Sequence, residues 1–89
     1  MTTTIIKRTE QFSQSTIDDE IVVMSLDNGT FFSLSGTGQA IWELLDRYSD
    51  RAGLLTALAQ TYGRDEAAIA AELDKFVASL SAAGLVVVA

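Results

Sequence analysis

The chain has 89 residues, 48% of them apolar, and a net charge of −6 from twelve acidic and six basic side chains. That length suits one domain with one hydrophobic core, and no apolar run approaches the roughly 20 residues needed to cross a bilayer. Histidine and cysteine are both absent. This removes the commonest general base and metal ligand, the thiolate nucleophile and any disulfide framework, so neither an enzyme nor a cofactor site is expected. The start, MTTTIIKRTEQ, lacks the apolar segment of an export signal, which makes the cytoplasm the expected location and a membrane an unexpected partner.

In chain order, a single domain is predicted over 1–89, with residues 1–8 frayed unless Ile5 and Ile6 anchor a short lead-in. Phe12 to Ile17 alternates weakly and is read as a first strand, closed by the acidic turn Asp18-Asp19-Glu20. Ile21-Val22-Val23-Met24 is β-branched and apolar on both faces, which suits the middle strand of a small sheet. Asp27-Asn28-Gly29 supplies residues that tolerate a tight turn, and Thr30-Phe31-Phe32-Ser33-Leu34 returns antiparallel as the third strand.

Ser35 stands at an N-cap position, and Ile41, Leu44, Leu45 and Tyr48 form the buried face of a first helix with Trp42 on its flank. Leu55, Leu58, Ala59 and Tyr62 repeat the spacing in a second helix, capped by Ser49 or Asp50 and ended by Gly63. The third helix runs from Asp65 to about Ala83 on a stripe of Ile69, Leu73, Phe76, Val77 and Leu80, with Gly84 ending it. Leu85 to Val88 follows as a short strand or an apolar tail. The predicted fold class is therefore α+β and winged-helix-like, a three-stranded antiparallel sheet followed by three helices. In such a meander the third strand lies at an open edge unless another segment covers it.

Most polar groups have ordinary explanations. Asp18, Asp19, Glu20, Asp65 and Glu66 fall in turns or first helical turns, where solvation and the helix dipole account for them. Ser33, Ser35 and Ser79 have no histidine to activate them, and Gly29, Gly36 and Gly38 do not have the spacing of a phosphate loop. Phe31 and Phe32 point to opposite faces of a strand, so one joins the core at most and the other meets solvent, a partner or a second layer. Trp42 reads as core or rim. Winged helices often bind DNA, but Lys7, Arg8, Arg47, Arg51, Arg64 and Lys75 are scattered and make no basic face, which argues against nucleic acid as a partner.

The order and spacing of Leu26, Asp27, Gly29, Phe31, Phe32, Leu34, Gly38, Ile41, Trp42, Leu44, Leu45, Tyr62, Leu73, Phe76, Leu80, Gly84 and Leu85 resemble the PqqD-like proteins, also called RiPP recognition elements. The resemblance spans residues 12 to 88, with Ser35 where that family often has Asn. It implies non-catalytic binding of the leader of a ribosomally made precursor peptide. The leader would add as a strand to the edge offered by Thr30, Phe31, Phe32, Ser33 and Leu34, and pack against Asp74, Val77, Ala78 and Ser81 of the third helix. Val77 widens the stripe beyond what a minimal core needs and reads as core ahead of groove wall. Glu72 matches an acidic family position suited to a basic leader residue or a leader amide.

The implied partners are the precursor leader peptide and a leader peptidase or other modifying enzyme, with lasso-peptide assembly favoured and the protein a monomer or weak homodimer. The alternatives are a peptide chaperone for a radical enzyme in redox-cofactor biosynthesis and a DNA-binding regulator.

Overall fold

Two apolar tripeptides at opposite ends of the chain pair with each other. In the computed structural model, which describes residues 3–89, Ile5–Lys7 (β1) runs antiparallel to Val86–Val88 (β5) as a separate two-stranded sheet. Ile5 is buried in the core. Of the two expectations for the start, the anchored lead-in holds for residues 5–7 and fraying does not, because buried Ile5 and a strand partner together fix the backbone there, while Ile6 is exposed. For Met1 and Thr2 the expectation lies outside the described residues. The other edge of β1 meets the connection between the first two helices, where the Ile5 amide donates to the Ser49 carbonyl and the Arg51 amide to the Thr3 carbonyl.

A single 3-10 turn, Thr9–Gln11, leads into the main sheet of Phe12–Ile17 (β2), Glu20–Ser25 (β3) and Phe31–Leu34 (β4), antiparallel in the order β2-β3-β4. Asp18 and Asp19 both have positive φ, 48° and 67°, as a two-residue hairpin turn of the primed type requires. The second hairpin closes through Gly29 at φ 74°, with the Thr30 amide donating to Asn28 Oδ1 at 3.0 Å. Cross-strand pairs share a face, so Val23 with Phe32 and Ile21 with Leu34 form the inner surface, while Met24 with Phe31 and Val22 with Ser33 form the outer one.

Three helices cover the inner surface: Gly36–Leu44 (α1), Arg51–Tyr62 (α2) and Glu66–Ala82 (α3). Asp50 caps α2 by accepting from the Gly53 amide at 2.8 Å, and Gly63 ends that helix in the left-handed conformation. The α+β layout of a three-stranded antiparallel sheet followed by three helices is as expected, with β1 and β5 added at the ends.

Three details differ from the sequence reading. α1 stops at Leu44, so Tyr48 lies beyond it and is exposed. In α2 the fully buried positions are Leu54, Leu58 and Ala59, with Leu55 half-buried and Tyr62 exposed. Trp42 is not on a flank but at the centre, 0% exposed. Its indole N–H donates to Gln14 Oε1 at 2.9 Å, the Phe12 ring meets it edge-on at 5.1 Å, and Lys7 Nζ lies 4.1 Å from its ring centre. The Gln14 contact satisfies the one polar atom of a large, otherwise apolar side chain.

Candidate functional site

The Ser25 amide donates to the Thr30 carbonyl at 2.8 Å. In an antiparallel ladder such hydrogen-bonded pairs alternate with non-bonded ones, so the backbones of Thr30, Phe32 and Leu34 are directed at β3 while those of Phe31 and Ser33 face the other way. No strand pairs with that other side among the described residues, because the C-terminal segment is engaged with β1. The free edge therefore presents the N–H and C=O of Phe31 and of Ser33.

Just beyond β4 the chain enters a groove. Its walls are Thr37, Gly38 and Ile41 of α1, and Glu72, Lys75, Phe76 and Ser79 of α3, enclosing about 320 Å³. Positions 72, 75, 76 and 79 share one helical face. Ile41 and the half-buried ring of Phe76 make the apolar floor, and the hydroxyls of Thr37 and Ser79 with the charges of Glu72 and Lys75 make the rim. Gly38 leaves room on α1 for the Phe76 ring of α3. A Cβ placed there would come within 3.2 Å of Phe76 Cε1.

Of the residues expected at a site, Glu72 lines this groove, while Thr30, Phe31, Phe32, Ser33 and Leu34 do not and precede it directly in the chain. Glu72 is already paired with Arg64, at 3.1 Å. Asp74, Val77, Ala78 and Ser81 are not on the groove face. Asp74 accepts two hydrogen bonds from Arg51 at the start of α2, both 2.9 Å, and this partner holds its carboxyl below the usual carboxylate range. Ala78 and Ser81 follow Asp74 at helical spacing on an exposed face directed away from the groove. Val77 is 7% exposed and belongs to the core, which decides between its two readings. Phe31 is 67% exposed on the outer face of the sheet, whereas Phe32 packs inward against the core.

The sequence reading did not assign Thr37, Gly38, Ile41, Lys75, Phe76 or Ser79 to a site. The signal for half of them was present, since Lys75, Phe76 and Ser79 stand three, four and seven residues after Glu72. Among the described residues no group of three or more acidic side chains could hold a metal ion, and no helix is long and apolar enough to cross a membrane.

Residues 20–86 match the family model described as Coenzyme PQQ synthesis protein D (PqqD). The chain belongs to the PqqD family. Its structure is similar to that of TbiB1 in complex with the TbiA(beta) leader peptide, with a TM-score of 0.79 and 28% sequence identity over 91% of this chain and 92% of that one. Comparison with curated proteins gives no match. For this PqqD-family member, the feature that invites an extended ligand is the juxtaposition along the chain of an unpaired strand edge and an apolar groove.

Proposed function

We propose that this protein is a non-catalytic binding module for the leader segment of a ribosomally made precursor peptide. The leader lies antiparallel along β4, exchanges hydrogen bonds with the backbone of Phe31 and Ser33, and sets apolar side chains into the groove between α1 and α3. The observation that carries this reading is the unpaired edge of β4, with the protein's own tail held elsewhere on β1. Up to four main-chain hydrogen bonds at about 0.5–1.5 kcal/mol each give generic affinity, and the groove gives selectivity. The similarity to TbiB1, which was solved with a leader peptide, supports the same class of ligand here.

The bound leader is presented to a separate modifying enzyme in the cytoplasm, with a lasso-peptide leader peptidase as the favoured partner. The family description, coenzyme PQQ synthesis, supports a second reading in which the same groove delivers a cofactor precursor to its enzyme. The two differ in the enzyme recruited and not in how the peptide is held. A DNA-binding role has little support, because a net charge of −6 opposes phosphate contact.

The test is titration of a fluorescently labelled leader of the cognate precursor against the wild type, Ser33→Pro and Ser79→Arg. The Ser33 N–H is directed at the free edge, so proline there removes a donor for the added strand while leaving the ladder to β3 intact. Ser79→Arg fills the groove from an exposed position. Each variant is expected to bind about tenfold more weakly, the cost of leaving one polar group of the complex unpaired or one side chain without its pocket. Unchanged affinity in both, with thermal unfolding near that of the wild type, contradicts the proposal.

A further inference from the structure

The groove carries two charged side chains, Glu72 and Lys75, and they are not equally available. Glu72 is neutralised by Arg64, which reaches it from the connection between α2 and α3 at 3.1 Å. The next carboxylate along the helix, Asp74, is held by Arg51 on another face. Lys75 has no ion-pair partner among the described residues, although it stands one position before Phe76 on the groove lining. In a chain of net charge −6, the one unmatched charge on this groove is therefore positive.

Resting on the peptide-binding reading, we infer that Lys75 is a specificity-determining residue that selects an acidic side chain in the bound segment. That side chain is placed two positions from an apolar residue seated on Ile41 and Phe76. The spacing follows from extended geometry. Successive side chains alternate, so residues two apart project to the same side about 7 Å from each other, one towards the floor at Phe76 and the other towards Lys75 at the rim. A basic residue at that position meets Lys75 with like charge and finds Glu72 already occupied. The resemblance alone offered Glu72 for a basic leader residue or a leader amide, and the Arg64 contact is what disfavours the basic residue.

The experiment is selection from a displayed random library of 16-residue peptides on the wild-type protein and on Lys75→Glu, in buffer of low ionic strength. The best wild-type sequence is then resynthesised with its acidic residue changed to the amide and to lysine. Wild-type sequences are expected to be enriched in Asp or Glu two positions from a large apolar residue. The acidic peptide should bind about threefold more tightly than its amide, as suits one exposed ion pair. The preference should fade in high salt, vanish in Lys75→Met and pass to the lysine peptide in Lys75→Glu. Enriched sequences without an acidic bias, or the same bias in Lys75→Glu, overturn the role of Lys75 and leave the groove reading standing. Failure of both proteins to enrich any peptide overturns the groove reading and this inference with it.

Discussion

Thr4 and Ala89 exchange both of their backbone hydrogen bonds, at 3.0 Å and 2.8 Å, so the two ends of the chain are tied together on the side of β1. This pairing holds the Val86–Val88 segment on β1, and no strand covers the outer edge of β4 among the described residues. Ile5 is the anchor of the arrangement, 2% exposed between β5 and the helices.

Ile5→Ala is expected to lower stability by roughly 2–4 kcal/mol, the range for removing a buried isoleucine side chain. Urea unfolding followed by far-UV circular dichroism measures it. A loss below about 0.5 kcal/mol, the effect of a surface change, would mean that β1 is not part of the folded core.

Gly38→Ala separates stability from binding. Alanine is worth up to about 1 kcal/mol more than glycine within a helix, but its Cβ would come within 3.2 Å of Phe76 Cε1 and force the ring to move. The expected result is a net change in unfolding free energy near zero together with leader affinity that falls severalfold, measured by thermal unfolding and by the same titration. Affinity equal to the wild type would show that the position of the Phe76 ring does not shape the ligand groove.

Lys7 is a nearly buried cation, its side chain 8% exposed, set over the Trp42 ring and paired with the exposed Asp46 at 2.9 Å. Lys7→Met retains the aliphatic stem and removes the charge, at an expected cost of about 0.5–2 kcal/mol. Asp46→Asn should cost less, since its carboxylate is largely in water and exposed pairs contribute little. Tryptophan emission reports both unfolding transitions, because Trp42 is the only tryptophan. Equal losses in the two variants would move the credit from the ring to the ion pair.

The Arg51–Asp74 pair sets a pH dependence. The hydrogen bonds from Arg51 lower the Asp74 pKa in the folded state, so the pair stabilises the fold above the unfolded value near 4 and its contribution is lost as pH falls through the lower folded value. With Asp74 largely exposed, the effect is at most about 1 kcal/mol. Asp74→Asn should unfold at a lower temperature than the wild type at pH 7, and the gap should narrow as the pH falls below the unfolded value near 4. A gap that widens in acid contradicts the assignment.

The hairpin and the helices were legible in the sequence because their signals are local. Asp27-Asn28-Gly29 dictates its turn, and the stripe of Ile69, Leu73, Val77 and Leu80 repeats with the helical period. The β1–β5 pairing was not legible, since each partner is three residues long, neither alternates, and they are separated by nearly the whole chain. On α3 the apolar stripe is wide, with Phe76 on one flank and Val77 on the other. The sequence does not say which flank faces the sheet side and which faces α2. Of the expected residues, Glu72 lines the groove that Gly38 and Phe76 border, while Asp74, Val77, Ala78 and Ser81 lie on other faces of α3.

The most direct measurement is residue-resolved amide hydrogen exchange across β4, by NMR, with and without leader peptide. In the free protein the amides of Phe32 and Leu34, directed at β3, should exchange slowly, and those of Phe31 and Ser33 should exchange fast. Peptide binding should then slow Phe31 and Ser33 at least tenfold, roughly the protection expected from a new backbone hydrogen bond. Saturating peptide that leaves both amides as fast as before would contradict strand addition at β4.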